Sequence, residues 1–565
     1  MGDRSGEAIT LNNIASVLNF QKQPEIAIAF YKQSVNVTES IRKDNQKLTP
    51  DLQASYTKTI AGTYRSLVDL LISQGRLSEG QRVLELLKVQ EIRDFTRSSE
   101  NLEKQQIALL TLEKQILAEH TTLIAFGQKL LECEQTKQNC KTLRDQLDQN
   151  TIAFNTQSSQ FQKELRQRLA SDPAFLTSDQ LSGVASDIIN AQPGSALIYP
   201  LILDNKIRLL LAVKAGTQGV IFRTVEVPNV GQKQLWDKVN QLHNHLKTPT
   251  SDLTELQTTS ADLYDWLIRP LEPELKTGKI TSLVFSLDRA TRYIPMAVLY
   301  DKERKQYLTQ QYPTSTILSA ELTKMDSKLG KRDQVKILGL GLSNPIGGFS
   351  ALNSVPSELA AIVRQPNQPQ TKGIYNGQEL LNQAFDLTSL RDNLQGQNIL
   401  HIATHGSFEP GNPANSFILS GTGDKLTIDK LKTLSNYMRD IHLVVLSACQ
   451  TAVGGPDESG IEVPGISFYF LQNKAKAVLA SLWLVNDAST ALMMQQFYTH
   501  LATGKTKAQA LQQVQQDFLL GNLKLKDAEA IDRAGGRRQI KGQLPADSFA
   551  HPYYWAPFIL IGNSL

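Results

Sequence analysis

Hydrophobic positions change their spacing near residue 173. Before it they recur every three to four residues, as in Leu109, Leu110, Leu112, Ile116, Leu117, Leu123 and Ile124, a period that predicts amphipathic helix. After it they fall in short runs bounded by Gly, Pro, Asn and Asp, which predicts strands. The expected strands are Ala196–Leu203, Arg208–Val213, Val220–Val227, Ser282–Leu287, Val335–Leu342, Asn398–Ala403, Leu443–Ser447, Ala477–Trp483 and Phe558–Ile561. Helical text separates several of them, at Ser357–Val363, Ile428–Leu434, Gly465–Asn473, Ala488–Thr503 and Lys507–Leu519. This alternation predicts an α/β domain built on a mostly parallel sheet with helices on both faces. Leu443–Leu446 and Val478–Ala480 are apolar without alternation, as strands buried on both faces require. The runs near 196–227 read as an antiparallel addition.

Breakers divide the chain at the same place. No proline lies between Pro50 and Pro173, and only six of the 34 glycines precede residue 173. The first part therefore reads as all-α. Within it, Leu11, Ile14, Ala15, Leu18, Ala27 and Tyr31 are matched 53 residues later by Tyr64, Leu67, Val68, Leu71, Gly80 and Leu84, with Gly75 and Leu87 completing the second set. The offsets resemble the tetratricopeptide (TPR) helix-pair unit, in which a small residue such as Ala27 or Gly80 lets two helices approach. A spacing of 53 rather than about 34 residues implies a long helix or insertion between the units. Residues 95–172 read as a long helical hairpin or coiled coil. The expected organisation is repeats over 1–94, the hairpin over 95–172, a linker over 173–194 and the α/β domain over 195–565. Cys133 and Cys140, on one continuous helix, would be about 10 Å apart. That is too far for a disulfide, so both are expected to be buried small hydrophobes.

Composition narrows the function classes. The 565 residues are 41% hydrophobic and 20% charged, enough for real cores. A net charge of +4 gives no reason to expect nucleic acid as a direct partner. Three cysteines exclude a disulfide scaffold and suit a reducing compartment. No signal-peptide pattern or membrane-length apolar run is visible, so a cytoplasmic protein without membrane association is expected.

Several motifs fail on inspection. Gly339-Leu340-Gly341 has Asn344 where a dinucleotide fingerprint needs glycine. Gly504-Lys505-Thr506 has Thr499 where a phosphate-binding loop needs its first glycine. Gly465-Ile466-Ser467 has Tyr469 where a nucleophile elbow needs glycine. His401 and His405 lack the glutamate of a zinc protease, so no metal and no cofactor are expected.

One constellation survives. Asn398–Ala403 is a buried strand leading to His405-Gly406, and Leu443–Ser447 is a buried strand leading to Cys449. A helix near 428–434 joins them as a βαβ unit, which makes them parallel. Adjacent strands lie about 4.8 Å apart, so His405 and Cys449 would emerge at one sheet edge, where open α/β sheets collect their chemistry. An imidazole lowers a thiol's pKa and can protonate a leaving amine. The backbone N–H groups of Gly406 and Cys449 are candidate oxyanion donors. No third side chain is apparent, so a His405–Cys449 dyad is expected. His401, His442 and His551 read as structural.

His405-Gly406 and Ser447-Ala448-Cys449-Gln450-Thr451 resemble the CHAT domain, a caspase-like domain found with TPR repeats. Arg292-Tyr293-Ile294-Pro295, Val355-Pro356-Ser357-Glu358, Ile461-Glu462-Val463-Pro464-Gly465, Ser481–Asp487 and His551-Pro552-Tyr553-Tyr554-Trp555 extend the resemblance over about 195–565. It implies a caspase-like fold and a cysteine endopeptidase of the caspase–separase type acting on a protein substrate. Asp487 is similar in position to a separase acidic residue that receives a basic P1 side chain. It would favour Arg or Lys through a carboxylate–guanidinium pair; as a helix N-cap it would need no substrate. Ser447 would also line that S1 pocket. The resemblance implies a mobile loop at 454–460, and the basic stretch 533–541 reads as a solvated loop or a self-cleavage site. The helical repeats are expected to hold a regulatory protein partner. The competing reading is a catalytically silent scaffold for protein–protein interaction.

Overall fold

The structure, a computed structural model, describes all residues except 1–2, 45–49, 97–105, 137, 172–178, 217–218, 369–370, 408–414, 448–464, 484–486 and 524–548. The chain forms two compact units, 1–183 and 184–565. The candidate nucleophile Cys449, the 454–460 loop and the 533–541 stretch lie outside the described residues.

The first unit is all-helical: α1 (Arg4–Phe20), α2 (Pro24–Asp44), α3 (Pro50–Ser73), α4 (Leu77–Thr96), α5 (Thr111–Gln135) and α6 (Lys141–Ser171). Helices α1 to α4 pack each on the next, as TPR-like pairs do. The 53-residue spacing is absorbed by the lengths of α2 and α3, 21 and 24 residues. Gly75 turns α3 into α4 with φ of 76°, a conformation that favours glycine. Gly80 lies so close to α3 that a Cβ there would sit 3.1 Å from the Ile72 side chain. The close approach at Gly80 matches the role expected of it in the second repeat unit.

Helices α5 and α6 form the antiparallel hairpin, with His120 facing Phe154 at 6.0 Å between ring centres. The cysteine expectation is corrected here: Cys133 and Cys140 form a disulfide, with Cα atoms 5.9 Å apart. They do not share one helix, because α5 ends at Gln135 and α6 begins at Lys141. The turn is made without glycine or proline. Gln138 N–H donates to the Cys133 carbonyl and Lys141 N–H to the Asn139 side chain. The cysteine count consequently gives no support to a reducing compartment.

A further helix, α7 (Asp179–Ala191), occupies most of the stretch read as linker and leads into the second unit. That unit's strands are β1 (Ser195–Ile202), β2 (Lys206–Lys214), β3 (Val220–Pro228), β4 (Ser282–Ser286), β5 (Tyr300–Asp301), β6 (Gln306–Tyr307), β7 (Thr314–Ile317), β8 (Lys336–Gly341), β9 (Val363–Arg364), β10 (Tyr375–Leu381), β11 (Ile399–Ala403), β12 (Gly406–Ser407), β13 (Phe417–Leu419), β14 (Lys425–Thr427), β15 (Leu443–Ser447), β16 (Ala477–Ser481) and β17 (Phe558–Gly562). Among the described residues, twelve form one sheet in the order β3-β2-β1-β4-β7-β17-β16-β15-β11-β8-β10-β9. Its pairings are parallel except β1–β2, β2–β3 and β16–β17. The first two are the expected antiparallel addition, since their short connections can only return the chain antiparallel.

The helices of this unit include α8 (Gln232–Leu246), α9 (Leu253–Leu267), α10 (Glu272–Thr277), α11 (Leu308–Gln311), α12 (Val355–Ile362), α13 (Leu387–Leu394), α14 (Ile428–Lys432), α15 (Gly465–Gln472), α16 (Asp487–Ala502) and α17 (Lys507–Leu519), of which α12, α14 and α16 matter to the site. The observed fold is the expected one, a mostly parallel sheet with helices on both faces after an all-helical region. Strand β10 was not anticipated, because its sequence is polar and its residues are mostly half-buried near the sheet edge.

Candidate active site

The strands β11 and β15 are adjacent and parallel, with Ala403 opposite Ser447, and α14 lies in the connection between them. Both are fully buried. On the other side of β11 lies β8, with β10 beyond it. Chain order reverses at β8, and such switch points open a crevice at the carboxyl ends of the strands. His405 stands two residues beyond Ala403, at that edge.

The local sequence holds His405 from three sides. Its carbonyl accepts from Leu419 N–H at 2.9 Å, and Gly406 pairs antiparallel with Ile418. Hydrogen-bonded pairs alternate along an antiparallel ladder, so the bond at His405 directs the Gly406 N–H away from β13. The imidazole lies against Phe349, 5.0 Å between ring centres. Its Nε2 is 2.8 Å from the carbonyl oxygen of Ser350. A carbonyl only accepts, so Nε2 carries the proton and Nδ1 is the nitrogen left to act as base. The orienting group that side-chain reasoning did not find is thus a backbone carbonyl, which no sequence pattern could reveal.

Asp487 is the first residue of α16, and its Oδ2 accepts from the backbone N–H of Ser354 at 2.7 Å. The carboxylate therefore caps the approach to α12. Burial pushes the Asp487 carboxyl above the usual carboxylate range, against the opposing pull of the Ser354 N–H. The nearby His405 also acts to lower it. Among the described residues no lysine or arginine forms an ion pair with it.

Ser447 is placed differently from the expectation. It is fully buried and its hydroxyl donates to Glu358 Oε1 at 2.6 Å. That hydroxyl is committed to the interior and is not open to a substrate. Glu358 also accepts from His401 Nε2 at 2.9 Å, and Tyr498 donates to His401 Nδ1 at 3.1 Å. Burial raises the Tyr498 hydroxyl well above its ordinary pKa and keeps it a donor. His401 is accordingly an interior histidine, as expected. Glu358 was visible only as part of a motif, with no role attached.

Glycine makes this arrangement possible. A Cβ at Gly341 would lie 2.7 Å from both Leu359 and Val355, and one at Gly339 would lie 2.9 Å from Val363 and 3.1 Å from Leu359. The two glycines rejected as a dinucleotide fingerprint instead let α12 press onto β8. Among the described residues no group of three or more His, Cys, Asp or Glu could hold a metal ion. No helix among them is long and apolar enough to cross a membrane.

The second unit is an α/β domain, and His405 stands at the carboxyl edge of its sheet, two residues beyond β11. The family model described as CHAT domain matches residues 257–563, more than half of the chain, and the chain belongs to that family. Tetratricopeptide repeat protein 28 of Homo sapiens is 23% identical over 380 residues, covering 56% of this chain and 14% of its own length. Its Mus musculus counterpart is 22% identical over 385 residues, with the same coverages. The chain thus spans 14% of the length of these relatives. Among solved structures, the Saccharomyces cerevisiae separase–securin complex matches with a TM-score of 0.42 and 10% identity, over 99% of this chain and 53% of that one. The Arg-specific cysteine proteinase gingipain R matches with a TM-score of 0.30 and 11% identity, over 59% of this chain and 74% of that one.

Proposed function

We propose that the protein is a cysteine endopeptidase of the caspase–separase type that works with a His405–Cys449 dyad. The observation that carries this reading is the register of β11 and β15. Ala403 and Ser447 are paired, and His405 and Cys449 each follow two residues later. The Cys449 thiolate attacks the scissile carbonyl carbon. The resulting oxyanion accepts from the N–H groups of Gly406 and Cys449. His405, protonated at Nδ1, gives that proton to the leaving amine, and a thioester remains. Water, deprotonated by His405, then hydrolyses the thioester and returns the thiolate. Asp487 receives a basic P1 side chain; its half-buried carboxylate, which forms no ion pair among the described residues, suits that role. The helical unit holds a regulatory protein partner, a reading supported by the exposed Ile9, Val17 and Phe20 on α1.

A peptidyl ketone with a leaving group and Arg at P1 tests the dyad. It is expected to label wild-type protein covalently, and to label neither Cys449→Ala nor His405→Ala. Equal labelling of wild type and His405→Ala would remove the dyad.

A further inference from the structure

The segment 350–358 touches the site at three separate points. The Ser350 carbonyl holds His405, the Ser354 N–H holds Asp487, and Glu358 holds both His401 and Ser447. The third contact is the deepest. His401 lies on β11, four residues before His405, and Ser447 lies on β15, two residues before Cys449. One carboxylate oxygen thus bridges the two strands whose ends carry the dyad. Glu358, His401 and Ser447 are all 0–1% exposed.

A buried carboxylate is costly unless its hydrogen bonds are met, and a leucine or methionine would fill the same space more favourably. The two glycines of β8 remove the Cβ atoms that would keep α12 away, so the close approach is built into the sheet. Tyr498, on α16, closes the chain of bonds from the far side of His401. The same helix begins at Asp487, which ties the S1 candidate to the bracket.

We infer that Glu358 is a positioning residue of the proposed peptidase: its carboxylate ties α12 to β11 and β15 and so holds the segment before α12 in place, with the Ser350 carbonyl against His405. The inference rests on the peptidase reading. A group that only stabilised the fold would affect melting and leave the turnover of folded protein intact. A group that keeps the His405 imidazole oriented acts on kcat, because an error of about 1 Å in reacting geometry can cost about a hundredfold.

The experiment compares wild type, Glu358→Gln and Ser447→Ala, each confirmed folded by thermal melting. Steady-state cleavage of an Arg-P1 peptide is measured beside the rate of alkylation by iodoacetamide at pH 7 without reductant. With Cys133 and Cys140 paired, Cys449 is the remaining thiol of the three cysteines, so alkylation reports on it alone. Glu358→Gln is expected to lower kcat about tenfold to a hundredfold with KM within about twofold, and to slow alkylation of Cys449. Ser447→Ala, which frees only β15 and adds no buried polar atom, is expected to lower kcat less, in the same direction. It decides the matter should Glu358→Gln fail to fold. Folded variants with wild-type kcat and wild-type alkylation would overturn the role of Glu358 while leaving the peptidase intact. A wild type that cleaves nothing and whose Cys449 alkylates like a free cysteine would overturn the peptidase reading itself, and the inference with it.

Discussion

A single carboxylate shows how a residue can serve function against stability. Burial raises the Asp487 carboxyl above its ordinary range, so the folded state binds a proton more tightly than the unfolded chain. Linkage then gives the sign: stability contributed at this position falls as pH rises from the unfolded carboxyl value through the raised folded one. Asp487→Asn keeps an acceptor for the Ser354 N–H and removes the charge. It is expected to melt above wild type at pH 8, with the difference closing in acid, and to lose its preference for basic P1 residues. Melting curves that differ by the same amount at every pH would show that the charge is not the cause. Both readings of Asp487 had been open in the sequence, substrate anchor and helix cap. The structure adds a contact across to Ser354, at the start of α12, that neither reading foresaw.

Elements are held by interactions of unequal legibility. The starts of α4 and α5 are joined to α2 by a buried cluster of two cations and two anions. Lys32 pairs with Glu79 and, at 3.0 Å, with Glu113; Arg76 pairs with both glutamates at 2.7 Å. Glu113 also accepts from the Leu110 N–H, which closes the first turn of α5. Burial alone would raise the Glu79 carboxyl, but Lys32 and Arg76 hold it down at about 2. Its contribution is therefore complete above the unfolded value and is lost as pH falls toward 2. Removing Glu79 leaves two buried cations on the single carboxylate of Glu113, so Glu79→Gln is expected to cost about 3–5 kcal/mol at neutral pH. It should also flatten the acid dependence of melting in the helical unit. A variant that melts with wild type at pH 7 would contradict this account.

That cluster could not be read from the sequence, because Lys32 and Glu113 lie 34 or more residues from the Arg76–Glu79 pair and each of the four resembles an ordinary surface charge. Strands such as Leu443–Ser447 were legible because burial on both faces leaves an unbroken apolar run. Strand β10 and the two- and three-residue strands β12 to β14 were not, since half-buried or very short strands lack that signature. The α5–α6 turn was missed for a related reason. Its Thr136 and Asn139 end and start helices through hydrogen bonds rather than through glycine or proline.

At the scale of the whole molecule, the twelve-stranded sheet contains two parallel sets running in opposite directions, β1-β4-β7-β17 and β16-β15-β11-β8-β10-β9, with β2 and β3 added antiparallel beyond β1. They meet where β17, the last strand described, pairs antiparallel with β16 and parallel with β7. The candidate site lies wholly in the later set. There the βαβ logic that placed His405 beside the Cys449 strand needed only local sequence. The contacts of Ser350, Ser354 and Glu358 needed the fold, because they come from a loop and helix 47 or more residues before His405 in the chain. The helical unit adds TPR-like pairs and a disulfide-closed hairpin.

The central claim is that Cys449 is the nucleophile of a peptidase directed to basic residues. Cleavage of a fluorogenic peptide panel varied at P1, with wild type beside Cys449→Ala, tests it most directly. Hydrolysis after Arg and Lys by wild type, absent in Cys449→Ala, is the predicted result. Hydrolysis that survives in Cys449→Ala, or none by either protein, would contradict it.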